Sequence, residues 1–199
     1  RRDELLHRVN NYRFRDWKDI KHDPDVFNGR LLHNRVGYTL RSQIPILTGL
    51  RSEPWLGTLE EELLEKIPED GLTRAELFDG YPKGKEHVHV QRSLKGALNN
   101  LERQLVIAKQ YIEVPNRKRS LAVYHRIYGA VEPLPFEDAL VELINRIGPI
   151  RLHTLRWFVS RPVEELADSL RALEESGRIC RVVALQPDPT DYYSSKEDS

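Results

Sequence analysis

The chain has 199 residues, of which 39% are hydrophobic and 31% charged, and its formal net charge at pH 7 is zero. This composition is typical of one large or two small globular domains and excludes a largely disordered protein. No apolar run approaches the roughly 18 residues of a membrane-spanning helix, and the polar start Arg1–Glu4 has no apolar stretch of a signal peptide behind it. The single cysteine, Cys180, allows no internal disulfide. We therefore expect an intracellular protein (cytoplasm, nucleoid or nucleus) without membrane contact.

The first 57 residues are predicted to form an N-terminal segment of helical and irregular structure. Residues 5–12 can form a short helix, and Asn28-Gly29 predicts a turn. The apolar run that follows contains Pro45, which argues against one long helix.

Two capping boxes open a regular pattern of elements after this segment. The pairs are Thr58 with Glu61 and Thr73 with Glu76. In each, the threonine hydroxyl can accept a hydrogen bond from the glutamate amide, while the glutamate carboxylate accepts one from the threonine amide. Each pair therefore predicts the start of a helix. A third, longer helix is predicted over residues 88–103, because its apolar residues recur three and four positions apart.

A β-hairpin is predicted after this third helix. Residues 105–114 and 121–128 are rich in β-forming side chains, and the turn between them is polar with a basic tip. The order of helix, short helix, longer helix and hairpin is that of a winged helix, which is a helix-turn-helix unit with a β-wing. We therefore predict a first winged helix over residues 58–128.

A second run of the same elements is visible over residues 136–185, where we predict a second winged helix. Ser160 is expected to cap its third helix, and Pro162 suits the first turn of that helix. Only one strand is visible after it, and the polar, proline-containing residues 186–199 predict a disordered tail. The predicted fold class is thus mainly α with small β-hairpins, an α+β protein of tandem winged-helix units.

Charge is distributed unevenly along the chain. Residues 83–128 carry 10 basic and 3 acidic side chains, whereas residues 52–82 carry 2 basic and 9 acidic ones. A strongly basic segment within a neutral protein is typical of nucleic-acid binding. The alternative is that acidic and basic segments neutralise each other in the fold.

The predicted third helix of the first unit collects basic and amide side chains on one face, opposite its apolar stripe: Arg92, Lys95, Asn99 and Arg103. In helix-turn-helix proteins this helix enters the major groove, where Arg and Lys contact guanine or phosphate and Asn reads adenine. Further cations on the hairpin are expected to contact the phosphate backbone: Lys109, Arg117, Lys118, Arg119 and Arg126. The pattern predicts DNA, or RNA, as the partner, and a solvated helix face is the alternative.

The third helix of the second unit is acidic, with Glu164, Glu165 and Asp168 in its first turns. An acidic face repels phosphate, so we expect this unit to pack against a neighbour or to bind a protein partner. Tyr192-Tyr193 in the predicted tail is a candidate docking element for such a partner.

Patterns for catalysis, metals and cofactors are weak. His87 and His89 have no neighbouring cysteine or carboxylate cluster, so no metal site is predicted. Cys180 falls in a predicted strand, where a cysteine is more often a core residue than a nucleophile. The sequence has no glycine-rich loop for phosphate, and no cofactor is predicted.

Several short motifs carry a resemblance to a known family. Residues 93–105 read SLKGALNNLERQL and precede a strand, a basic wing and a second strand, and residues 130–133 then read AVEP. Residues 148–150 read GPI, and residues 173–178 read LEESGR. With these motifs, residues 73–183 resemble a winged-helix DNA-binding family that includes the bacterial DNA-crosslink-repair glycosylases.

This resemblance implies tandem winged helices, DNA as the partner and base excision as a candidate activity. Members of the family resemble each other in a Gln-x-Gln or Gln-x-Asp catalytic motif, and Gln186-Pro187-Asp188 matches it by letters only. No catalytic residue is therefore assigned. Three hypotheses follow: a DNA-binding module without catalysis, a DNA glycosylase or a fragment of one, and a winged-helix scaffold for protein interactions.

Overall fold

The computed structural model describes residues 22–32, 35–114, 120–183 and 191–195. Within these ranges the chain is an α+β protein of seven α-helices and two antiparallel sheets, as predicted. In chain order the elements are β1 (Val26–Leu32), β2 (Arg35–Leu40), α1 (Ile44–Gly49), α2 (Thr58–Glu65), β3 (Leu72–Thr73), α3 (Arg74–Leu77), α4 (Val88–Arg103), β4 (Ile107–Ile112), β5 (Leu121–Arg126), α5 (Phe136–Ile147), β6 (Ile150–Arg151), α6 (Leu152–Leu155), α7 (Val163–Glu175), β7 (Ile179–Val183) and β8 (Asp191–Ser195).

The described residues fall into two compact units. One, here the five-stranded unit, holds the residues up to Ser42 together with Glu53–Glu132. The other, here the three-stranded unit, holds Gln43–Ser52 and the described residues from Pro133 onward. Two strands that precede residue 43, β1 and β2, join the sheet that holds the predicted hairpin.

The five-stranded unit has the sheet order β2-β1-β4-β5-β3. The predicted hairpin is confirmed as β4–β5, whose ladder runs from Ile107–Arg126 to Ile112–Leu121. Helices α2, α3 and α4 pack on the sheet around one apolar core, and its most deeply buried members include Leu63, Leu77, Leu101 and Ile107. In each of the three helices the apolar residues lie on one side, and that side faces the shared core.

The hairpin β1–β2 departs from the helical or irregular structure expected in the first 57 residues. Asn28 and Gly29 form no turn but lie inside β1, opposite Tyr38 and Gly37 of β2. Consecutive residues of β1, including Phe27 and Asn28, are buried, so the strand lacks the alternation by which a half-exposed strand is recognised. The predicted helix over residues 5–12 lies outside the described residues.

One of the two capping boxes is confirmed. Thr73 Oγ1 accepts from the Glu76 amide at 3.3 Å, and Glu76 Oε2 accepts from the Thr73 amide at 2.8 Å. These hydrogen bonds hold the pKa of the Glu76 carboxyl below its usual range. The Thr58 box is wrong, because α2 already begins at Thr58 and Gly57 occupies the cap position.

The three-stranded unit has the sheet order β6-β8-β7. Its helices α1, α5, α6 and α7 enclose a second core, which includes the fully buried Leu140, Ile144 and Leu155. The predicted disordered tail is wrong for residues 191–195, which form β8 and pair with both β6 and β7. Hydrogen bonding to two neighbours, rather than local pattern, makes this polar segment a strand.

The ends of α7 fit the prediction only in part. Pro162 occupies the cap position, and Ser160 does not cap the helix but accepts from Arg51 Nη1 at 2.7 Å. Gly177 ends α7 with φ +69°, a conformation that costs glycine little. The Arg178 amide then returns to the Leu173 carbonyl, as in a Schellman motif.

Candidate nucleic-acid interface

Helix α4 presents the predicted basic face to solvent. Its buried stripe includes Leu94, Leu98 and Leu101, and the residues predicted to contact nucleic acid are all exposed on the other side: Arg92, Lys95, Asn99 and Arg103. Gly96 lies among them, and within the described residues no atom other than its chain neighbours and the backbone of α4 stands within 4 Å of where its Cβ would be. The structure thus brings these four side chains together on an unobstructed face.

The charge of this face is of one sign. Glu102 is the only acidic residue in α4, and its side chain is just 3% exposed. Lys109 Nζ lies 2.9 Å from Glu102 Oε2 and neutralises it. The exposed surface of α4 is therefore positive without a competing carboxylate of its own, and fields of this kind attract polyanions.

Lys109, a predicted phosphate contact, is largely shielded from solvent. Alternation along β4 puts it on the same side as the core residue Ile107, facing α4, and its side chain is 16% exposed. It also lies 5.9 Å from the ring centre of Tyr124. Burial, followed by the Glu102 carboxylate, raises the pKa of Tyr124 to about 12, so this tyrosine stays neutral.

The remaining predicted cations belong to the β4–β5 hairpin. Arg126 is exposed at the end of β5, and its Nε donates to the Tyr128 carbonyl at 3.0 Å. Arg117, Lys118 and Arg119 lie outside the described residues, so their predicted role as phosphate contacts stays a prediction.

His22, which no sequence pattern singled out, contacts residues that flank both strands of this hairpin. Its Nδ1 lies 3.1 Å from Glu113 Oε1, just beyond β4, and its Nε2 lies 2.6 Å from Ser120 Oγ, just before β5. The two contacts link a residue just after β4 to a residue just before β5. No local pattern points to His22, because Ser120 is 98 residues away in sequence.

The acidic face predicted on α7 is present in the three-stranded unit. Glu164 and Asp168 are exposed there, and the carboxylate of Glu165 pairs with Arg161 four residues earlier. Tyr192 belongs to β8, and its hydroxyl accepts from Arg151 Nε at 2.8 Å. A protein partner on this unit stays a prediction.

In the part that the structure describes, no three His, Cys, Asp or Glu side chains are grouped so that they could hold a metal ion. In the same part, no helix combines the length and apolarity needed to cross a bilayer. His87 and His89 lie side by side with ring centres 6.5 Å apart.

Comparison with known proteins gives a match in structure alone. No family model and no curated protein matches the sequence. Among solved structures, the Streptomyces sahachiroi DNA glycosylase AlkZ matches with a TM-score of 0.58 and 16% identity, over 92% of this chain and 54% of that one. The chain thus spans about half the length of the glycosylase, and at this identity the likeness concerns the fold. At the level of the fold, this chain is similar to that DNA glycosylase.

Proposed function

We propose that the chain binds double-stranded DNA through the exposed face of α4. The observation that carries this proposal is the set of Arg92, Lys95 and Arg103 around Asn99 on a helix face with no exposed acid. An α-helix fits the major groove, where Arg and Lys contact guanine or phosphate and Asn pairs with adenine. Lys109, which neutralises Glu102, takes no part in the contact.

In this proposal α2, α3, α4 and the β4–β5 hairpin act as a winged helix, with α4 as the recognition helix. The order of elements supports it, and so does an internal repeat. A two-residue strand runs directly into a four-residue helix in both units, as Leu72–Leu77 and as Ile150–Leu155. A longer helix and two paired strands follow each time. The likeness in fold to a DNA glycosylase is a further support.

Charge reversal tests the proposal. The variant Arg92→Glu, Lys95→Glu, Arg103→Glu should lose binding to a labelled random-sequence duplex, measured by fluorescence anisotropy at low salt. A matched control reverses three exposed arginines of the three-stranded unit, Arg146, Arg156 and Arg171, and should keep most of the affinity. Equal losses in both variants would show that net charge alone matters. A wild type that does not bind even at low salt would favour the scaffold hypothesis.

Base excision is a second candidate function, and the fold likeness to the glycosylase AlkZ favours it. A glycosylase needs an extruded base and an acid or base beside it. The motif-like Gln186-Pro187-Asp188 lies outside the described residues, so no residue is proposed as catalytic. Release of free base from a duplex that carries alkylated bases, measured by chromatography, would establish the activity. Binding without release would leave a DNA-binding module.

A further inference from the structure

Trp55 is the most exposed large apolar side chain in the part of the chain that the structure describes. It is 78% exposed, against 60% for Val36, the next in order. It belongs to the segment that leads into α2, in the five-stranded unit. Single exposed apolar residues are common, but an indole is the largest such surface and therefore the most costly to leave in water.

The backbone of Trp55 is fixed although its ring is in solvent. Its amide donates to Gln104 Oε1 at 2.8 Å, and Gln104 Nε2 donates to its carbonyl at 2.9 Å. The next residue, Leu56, packs against the core of the unit. A side-chain amide that pairs with both backbone groups of one residue holds that residue as a neighbouring strand would. The indole is thus presented on an ordered support, which lowers the entropy lost when a ligand binds.

The position of Gln104 indicates which class of ligand the indole of Trp55 would contact. Gln104 directly follows Arg103, the last residue of α4 and a member of its basic face. The Glu60 carboxylate accepts from Asn100 Nδ2 at 3.1 Å, while Glu53, in the segment that precedes α2, is exposed. An ordered aromatic ring in the same unit as a cationic helix face is a combination that binds nucleic-acid strands, with bases on the ring and phosphates on the cations.

We propose that Trp55 stacks on an unpaired base of the DNA that α4 binds. Bases inside an intact duplex are already stacked on each other, so the ring can engage only a base that is unpaired or extruded. The substrate class is therefore duplex DNA with an unpaired nucleotide. This inference rests on the proposed function and adds to it a preference among DNA structures.

The test compares two labelled DNAs of the same sequence, an intact duplex and a duplex with a single-nucleotide bulge. We expect wild type to bind the bulged DNA at least about fivefold more tightly, because stacking of one base on an aromatic ring is worth a factor of roughly 5 to 150. Trp55→Ala should bind the two DNAs equally, and Trp55→Phe should keep part of the preference. Trp157→Ala, which removes another exposed tryptophan, should keep all of it.

The outcomes separate this inference from the proposed function. If wild type binds both DNAs with equal affinity, or if Trp55→Ala keeps the preference, the stacking role is overturned while DNA binding stands. If wild type binds neither DNA, both proposals fail. As a second readout, the bulged DNA should quench tryptophan fluorescence more in wild type than in Trp55→Phe, and equal quenching would contradict stacking on Trp55.

Discussion

The pair of Lys109 and Glu102 decides what α4 can offer to a ligand. Both side chains are largely removed from solvent, and each supplies the opposite charge that the other requires. A buried ion pair of this kind adds little net stability, but removal of one partner leaves an uncompensated charge inside the protein. The pair therefore keeps the acid of α4 away from the exposed cations and holds the helix on β4.

Replacement of one member of this pair should be far more damaging than replacement of both. Lys109→Met should lower the free energy of unfolding by about 3–5 kcal/mol, because Glu102 is left buried and charged. The double variant Lys109→Met, Glu102→Gln should regain most of this loss, as measured by urea denaturation. Its DNA affinity should match wild type, and a large loss of affinity in the double variant would instead make Lys109 a DNA contact.

His125 should make stability depend on pH. Burial, with a smaller effect of Arg41, holds the pKa of His125 below its usual range. Its ring packs 5.6 Å from that of Phe27, and its Nε2 is buried without a hydrogen-bond partner among the described residues. The folded state therefore favours the neutral ring. Its contribution to stability is complete above the unfolded pKa of about 6.5 and is lost as pH falls through the lower folded value.

The variant His125→Gln tests this account. In wild type the free energy of unfolding should fall between about pH 7 and pH 5, and the variant should show a weaker fall over the same range. His153→Gln, at an exposed histidine, is the matched control and should behave as wild type does. A pH profile unchanged by His125→Gln would contradict a neutral, buried His125.

At the scale of elements, the sequence was sufficient where a local period decides the structure. Helices α4, α5 and α7 follow from leucines at helical spacing, and the exposed face of α4 follows from the same period. Hairpin β1–β2 and strand β8 depend on pairing partners distant in sequence, so no local pattern predicts them. Local pattern likewise cannot predict the two hydrogen bonds between the Gln104 side chain and the Trp55 backbone, because these residues are 49 positions apart.

Strand β8 should be essential to the three-stranded unit. It is the central strand, Tyr193 packs against the core and Ser194 is buried. Truncation after residue 190 should therefore lower the thermal midpoint by about 10 °C, which corresponds to a few kcal/mol for a chain of this size. Truncation after Ser195 keeps the strand and is the control. An unchanged thermal midpoint on loss of residues 191–195 would contradict a structural role for β8 and favour the predicted disordered tail.

At the scale of the whole molecule, the net charge is zero, but the two units expose helix faces of opposite charge. The five-stranded unit exposes the basic face of α4, and the three-stranded unit exposes the acidic face of α7. Since phosphate is attracted by one and repelled by the other, DNA binding should depend on the five-stranded unit.

The most direct test of DNA binding by α4 is the salt dependence of duplex affinity in wild type and in Arg92→Ala, Lys95→Ala, Arg103→Ala. Each cation that contacts a phosphate steepens the decline of log affinity with log salt by about 0.9. We predict that log affinity falls steeply with log salt for wild type. For the variant the slope should be shallower, by an amount that corresponds to the loss of up to about three phosphate contacts. Equal slopes for the two proteins would show that α4 does not touch the phosphates and would contradict the account.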